Sequence, residues 1–259
     1  MENALIGYTG FVGSTLHRQA RFDALFNSKN IGEVRGRSFD LVVCAAARAE
    51  KWKANAEPEA DRAHIESLAA VLRTLSAKTF VLISTVDVYP RPIGVDESTE
   101  IELESVQPYG RHRLLLERHV QEHFSNVFVM RLPGLFGRGL KKNFIFDLLS
   151  ENTQYLKGMH AQSRFQFYDM ERLWSDIQRQ IAAGIRLLNV STEPVACADV
   201  ARVGFDRVFE NVVEKPPILY DMRSRHARAL AGRDHYLYTA AETLEAIRRF
   251  RLAAQETSP

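Results

Sequence analysis

Apolar positions along this chain fall into two rhythms. Short, nearly unbroken apolar runs occur at Ala4-Leu5-Ile6, Leu41 to Ala47, Phe80 to Ile83 and Val127 to Leu132. Runs of this kind suit strands buried on both faces of a parallel sheet. Between them, apolar residues return at helical spacing, as in Phe11, Val12, Leu16 and Ala20, or Ile65, Leu68, Ala69 and Leu72. The spacing predicts helices over 11–20, 61–75 and 108–124, and strands at the N-terminus, 23–26, 39–47, 79–83 and 127–132. So little chain separates the second and third strands that their crossover must be abbreviated. Strands alternating with helices predict an α/β fold, a doubly wound parallel sheet.

Beyond Pro133 the rhythm changes. Helical patterns dominate at 143–149, 169–185, 198–209 and 240–252, with short strand candidates at 186–190 and 218–220. The first 136 residues therefore read as one sheet domain, rejoined by roughly 186–210. Residues 137–185 and 211–259 read as a small, mostly helical C-terminal lobe. Gln255 to Pro259 read as a frayed tail.

Composition narrows the classes. The 259 residues can bury a full core. The 34 basic residues nearly balance 32 acidic ones, for a net charge of +2, which argues against an extended nucleic-acid surface. No stretch is long and apolar enough to span a bilayer. The first strand starts so close to Met1 that no signal peptide fits, and a cytoplasmic setting is expected. Two cysteines, Cys44 and Cys197, give no disulfide framework and no metal-ligand spacing, so no metal site is expected.

The chemistry starts at Ile6-Gly7-Tyr8-Thr9-Gly10-Phe11-Val12-Gly13. An apolar strand ends in glycines at 7, 10 and 13, and a helix follows. That layout lets backbone amides approach a pyrophosphate and aims a helix N-terminus at its charge. The spacing G-x-x-G-x-x-G is less specific than G-x-G-x-x-G, and a purely structural turn is the alternative. Two further segments add reactive groups. Phe80 to Ile83 delivers Ser84 and Thr85 to the C-terminal edge of the sheet, where ligands of such folds bind. Tyr109 and Arg113 stand one helical turn apart and share a face. A cation beside a phenol favours the phenolate and lowers its pKa. Thr85 is placed to hold a carbonyl oxygen while Tyr109 gives or takes its proton. Taken singly, Tyr109 reads more readily as a packing residue.

These segments resemble the extended short-chain dehydrogenases/reductases, which include the NAD-dependent epimerase/dehydratase enzymes acting on nucleotide sugars. The resemblance rests on Gly7 to Gly13, Ala45-Ala46-Ala47, Ser84 to Tyr89, Pro108-Tyr109-Gly110 with a basic residue at 113, and Arg131 to Gly137. It implies a Rossmann-like dinucleotide-binding domain and a substrate-binding C-terminal lobe. By the same resemblance, Gly7, Thr9, Gly10, Phe11, Val12 and Gly13 hold the pyrophosphate, and Ala45, Ala46, Ala47 and Ser84 line the cofactor. Thr85 binds the carbonyl, Tyr109 is the general acid/base, residue 113 meets the nicotinamide ribose, and Pro133 lies near the nicotinamide. The family's relatives often dimerise through the helix carrying the tyrosine. Leu114-Leu115-Leu116 fits a homodimer of that kind or packing against the sheet.

The chain departs from the family pattern at three places. Arg113 stands where the pattern has lysine, which keeps the charge but changes the hydrogen-bond geometry. No acid follows the second strand: Asn27 and Ser28 occupy the place of a ribose-binding Asp, with Lys29 beside them. This tilts the cofactor from NAD(H) toward NADP(H), since nothing there repels a 2′-phosphate. His64 replaces an asparagine of the pattern and reads as a packing or surface residue. Arg48, Lys51 and Lys53, with Trp52, leave the third strand over the expected cleft and suit an anionic small-molecule substrate, or else form a solvated loop. Asp87 and Asn143 are further substrate-side candidates. Thr85-Val86-Asp87 lacks the Asp-Glu that family dehydratases place directly after the threonine, which disfavours dehydration. The expected activity is an NAD(P)-dependent oxidoreductase, with an epimerase or a catalytically silent NAD(P)-binding module as alternatives.

Overall fold

The computed structural model describes residues 2–256. It divides the chain into two compact units. The first comprises the chain up to Pro90, Ser98–Leu132 and Arg172–Asn189.

A six-stranded sheet forms the first unit. Its strands include β1 (Asn3–Ile6), β2 (Ala24–Phe26), β3 (Ser38–Cys44) and β4 (Ser76–Thr85). Val127–Leu132 and Leu187–Asn189 complete it, and the spatial order is Leu187–Asn189, Val127–Leu132, β4, β3, β1, β2. Every pairing is parallel, with Ile6 opposite Cys44 and Thr85 opposite Leu132. The apolar runs explain the layout, because Val127–Leu132 is buried along its whole length. Helices α1 (Phe11–Gln19), α2 (Lys51–Ala56), α3 (Pro58–Leu72) and α4 (Pro108–His123) follow in chain order. Pro58 and Pro108 open α3 and α4 at the first helical position, where a missing N–H costs nothing. Leu116, Val120 and Phe124 join β-strand residues in the core, and Phe124 stacks on Phe80 at 4.3 Å between ring centres.

The crossover from β2 to β3 is a single 3₁₀ turn, Ile31–Val34, as short as the spacing required. The chain leaves β1 for β2 on one side and returns as β3 on the other. The strand order therefore reverses between β1 and β3, at Gly7 and Ala45, where ligands of open α/β sheets bind. The doubly wound, Rossmann-like architecture is thus present.

The boundaries differ from those expected. The helix Leu173–Ala182 belongs to the first unit, and the return ends at Asn189 instead of 210. The reason is topological: the strand Leu187–Asn189 runs parallel to Val127–Leu132 and needs a crossover helix on the sheet. Leu173 and Ile177 are buried there, and Gln180 Nε2 donates to the carbonyls of Val129 and Ile185 at 2.9 and 3.0 Å.

The second unit comprises Arg91–Glu97, Pro133–Glu171 and the chain from Val190 onward. Its core gathers Phe136, Phe144, Ile145, Leu148, Val200 and Ile247. It holds more strand than expected: Gly134–Phe136 pairs with Phe167–Asp169, Ile93–Val95 with Asp221–Met222, and Arg164–Phe165 with Val195–Ala196. The helix expected over 198–209 is one turn, Cys197–Asp199, running into a π-helical stretch, Val200–Gly204. Asp206, at φ +52°, stops it. The strand expected at 218–220 is displaced to Asp221–Met222. Gln255 and Glu256 extend the last helix, Ala240–Glu256, and the remaining three residues of the expected tail lie outside the described residues.

Candidate functional site

The glycine turn closes by backbone contact. Gly7 has φ +91°, and a Cβ there would lie 2.6 Å from the backbone of Ala45. A Cβ on Gly13 would lie 2.0 Å from Gly7 O, so β1, α1 and the end of β3 meet at distances only glycine permits. Gly10 is different. Its nearest neighbour would be an ordinary 3.5 Å away, it is exposed, and it caps α1 without any side-chain hydrogen bond. The first turn of α1 carries no acid, and Thr9 beside it is exposed. An open helix N-terminus cradled by backbone fits a dinucleotide pyrophosphate.

At the end of β2, Asn27 folds into its own turn. Its side-chain oxygen accepts from Lys29 N at 2.8 Å, and its N–H donates to Asn30 Oδ1 at 2.7 Å. Ser28 and Lys29 are exposed. Ala45, Ala46 and Ala47 are half-buried beyond β3, and Ala45 N donates to Ile6 O at 2.8 Å.

Tyr109 and Thr85 come together because α4 packs hard onto the turn after β4. A Cβ on Gly110 would lie 1.7 Å from Asp87 O, so no larger residue allows this approach. Thr85 Oγ1 accepts from Asp87 N at 3.2 Å and caps the 3₁₀ turn Val86–Val88. The Thr85 hydroxyl neighbours the Tyr109 phenol and favours its ionised form. Tyr109 N donates to Asn55 Oδ1 at 3.0 Å, and Asn55 Nδ2 donates to Gln107 Oε1 at 2.9 Å. These two bonds pin α2 to the start of α4. Lys51, at the head of α2, donates from Nζ to Asp87 Oδ1 at 2.6 Å.

Arg113 takes an unexpected place. Its guanidinium lies 4.0 Å from the Tyr109 ring centre, 3 % exposed, with NH1 donating to Asp61 and to Tyr109 O at 3.1 Å. NH2 donates to Arg48 O, and Nε is buried without a partner. His112 Nδ1 bonds the same Asp61 oxygen at 2.7 Å. Burial pushes the Asp61 carboxyl up, but the Arg113 and His112 bonds outweigh it and hold the group below its ordinary value. At Tyr109 the balance runs the other way. Burial raises the phenol above its usual value, and the Arg113 charge offsets only part of that. The expected lowering by Arg113 is therefore reversed by desolvation.

The remaining candidates divide. Ser84 Oγ donates to Glu117, which is also held by Arg131 Nε and NH2, at 3.0 and 2.6 Å. Ser84 is thus tied into a buried ionic network that continues through Arg131 to the Tyr89 hydroxyl at 2.8 Å. Arg48 and Lys53 are exposed. His64 is half-buried with Nε2 unpartnered, and burial followed by the Arg48 charge lowers its pKa. Pro133 and Asn143 belong to the second unit. Asn143 Oδ1 accepts from Phe146 N at 3.1 Å, capping the helix Phe144–Leu149, and its Nδ2 donates to Leu135 O at 2.8 Å. Its φ of +124° is nearly confined to glycine, a strained setting for an asparagine.

The roles of Asp61 and Asn55 were not read from the sequence, and Gly110 was read only as part of the Pro108-Tyr109-Gly110 motif. Asp61 had a signal: it lies on the same helical stripe as Ile65, Leu68 and Leu72, a carboxylate on a buried face.

A family model described as the NAD dependent epimerase/dehydratase family matches residues 22–158, more than half of the chain. No curated protein matches. Among solved structures, a dTDP-4-dehydrorhamnose reductase from Bacillus anthracis, in complex with NADP, superposes with a TM-score of 0.72 at 18% identity. The match covers 98% of this chain and 99% of that one. An NAD dependent NDP-hexosamine 5,6-dehydratase, TunA of tunicamycin biosynthesis, gives 0.75 at 16% identity, covering 100% and 99%. A UDP-galactose 4-epimerase gives 0.72 at 15%, covering all of both chains. The fold is shared across this range of chemistries, and the family match extends over β2 to α4, the segment that builds the Thr85–Tyr109 pair. The chain belongs to the NAD dependent epimerase/dehydratase family, enzymes of the extended short-chain dehydrogenase/reductase type.

Proposed function

We propose that this enzyme reduces the carbonyl of a nucleotide-linked sugar, with Tyr109 as proton donor and Thr85 as the hydrogen-bond donor that orients the oxygen. The observation that carries the reading is the convergence of the two hydroxyls at the C-terminal end of β4, held there by the close approach at Gly110. The bound dinucleotide supplies the hydride. As the carbonyl carbon accepts it, negative charge develops on oxygen, and Tyr109 passes its proton to that atom. The phenol is protonated at neutral pH, as a general acid requires, and burial favours that form further.

One feature disfavours dehydration. The dehydratase reading needs an acidic pair beside the threonine, and here Val86 is buried while Asp87 is engaged by Lys51. The substrate class comes from the family and from relatives that handle dTDP-, UDP- and NDP-sugars. NADP(H) is favoured because Asn27-Ser28-Lys29 offers no carboxylate against a 2′-phosphate, and a structural relative binds NADP.

A second reading, a silent NAD(P)-binding module, draws on Arg113, whose NH1 and NH2 are spent on Asp61 and two carbonyls. The experiment that separates the readings is turnover of a panel of nucleotide-4-keto-sugars with NADPH or NADH. Reductase function predicts NADPH oxidation with at least one member and tighter binding of NADPH than NADH. Cofactor binding with no turnover across the panel favours the silent module.

A further inference from the structure

A phenol that gives up its proton in a buried site leaves a phenolate that needs a compensating cation. Among the charges that act on Tyr109 are two cations, Arg113 on its own helix and Lys51 on α2, and the anion Asp87 on the turn after β4, with Asp61 behind Arg113. Arg113 is poorly placed to respond. It is buried against the ring face, its charge is shared with Asp61, and its NH groups hold Asp61, Tyr109 O and Arg48 O. Lys51 is less confined. Its side chain is 45% exposed and its ammonium rests on Asp87 Oδ1 at 2.6 Å. The other oxygen of that carboxylate lies 3.4 Å from Thr85 Oγ1, which neighbours the Tyr109 hydroxyl. The base of α2 is fixed to α4 by the Asn55 bonds to Tyr109 N and Gln107. The ammonium is therefore tethered close to the reacting hydroxyls on a flexible stem.

We propose that Lys51, held by Asp87 beside Thr85 and Tyr109, is a positioning residue that supplies the mobile cation for the proton transfer, while Arg113 serves to fix the ring. The proposal rests on Tyr109 being the proton donor. Before transfer, the ammonium pairs with Asp87. As Tyr109 releases its proton to the substrate oxygen, the ammonium stabilises the phenolate. A proton from solvent then restores the phenol, and Lys51 keeps its charge throughout.

The test follows Tyr109 itself. Protein carrying ¹³C at the tyrosine phenolic carbon is titrated by NMR in the presence of NADP⁺, and the Tyr109 signal is assigned by its absence in Tyr109→Phe. Lys51→Met is expected to raise the Tyr109 pKa by about one unit, and Lys51→Arg to restore most of that shift. The pH profile of NADPH oxidation should move with it, the alkaline limb of reduction shifting upward in Lys51→Met. An unchanged Tyr109 titration in folded Lys51→Met overturns the role of Lys51, even if Tyr109→Phe abolishes turnover. Conversely, full turnover by Tyr109→Phe refutes the proton-donor reading on which the proposal stands, whatever Lys51 does to the titration.

Discussion

At the scale of single residues, the outcome turns on how buried charges are paired. Asp61 is 9% exposed and bonded to both His112 and Arg113. Asp61→Asn leaves a guanidinium buried without its counter-ion, which costs about 3 kcal/mol in urea unfolding at neutral pH. The pH dependence has a definite sign. Because the folded carboxyl titrates below its ordinary value, its stabilisation is present above the unfolded pKa and is lost as pH falls through the lower, folded one. The stability gap between wild type and Asp61→Asn should therefore narrow as the pH is taken down below about 4. A gap constant down to strongly acidic pH contradicts this ion pair. The thiols give a second residue-scale test. Burial raises Cys44 to about 11 and Cys197 to about 12, so neither reacts with a thiol reagent at neutral pH until the protein unfolds. Rapid labelling of either cysteine in the native protein contradicts their burial. The placement of Thr85 at the end of β4 and of Tyr109 at the start of α4 was legible in the sequence because their segment patterns are local. The position of Arg113 was not, because its partner Asp61 lies on α3, far away in sequence.

At the scale of elements, the parallel strands were legible because burial on both faces demands unbroken apolar runs. Short α2 was not. Lys51-Trp52-Lys53-Ala54-Asn55-Ala56 reads as a solvated loop, and only Ala54 is fully buried, while Trp52 is 70% exposed. What makes α2 a fixed element is a side chain–backbone bond from Asn55 to α4, which periodicity does not encode. The run Leu114-Leu115-Leu116 resolves in part: Leu114 and Leu116 are buried within the subunit, and Leu115 is the exposed one. The tightest element junction is α4 on the turn after β4. Gly110→Ala places a methyl against Asp87 O and must push the helix away, separating Tyr109 from Thr85. The expected cost is about 2 kcal/mol or more of stability, and a larger fractional loss of kcat than of cofactor affinity. Equal activity in Gly110→Ala would show that the helix–turn spacing does not set the chemistry.

At the scale of the whole molecule, the sheet order was implicit in the alternation of strands and helices, whereas the path of the second unit was not. That unit draws on three separated segments and closes with two- and three-residue strands, too short to impose a period-two signature. The strand Leu187–Asn189 falls within the candidate at 186–190, where the sheet domain was expected to resume, and it pairs with Val127–Leu132 across a long excursion. If the glycine turn of the first unit holds the dinucleotide, as proposed, it ties stability to cofactor. Saturating NADPH, at about 100 times its Kd, should stabilise the protein by about 2.7 kcal/mol. Gly13→Ala, which meets Gly7 O, should abolish that gain.

The proposed reaction requires that the Tyr109 hydroxyl donate the proton at a carbonyl held by Thr85. Its most direct test is kcat for NADPH-dependent reduction of a nucleotide-4-keto-sugar turned over by the wild type, compared with Tyr109→Phe. The predicted result is a loss of about 10²-fold or more in kcat, with the Kd for NADPH unchanged. An undiminished kcat in Tyr109→Phe contradicts the claim.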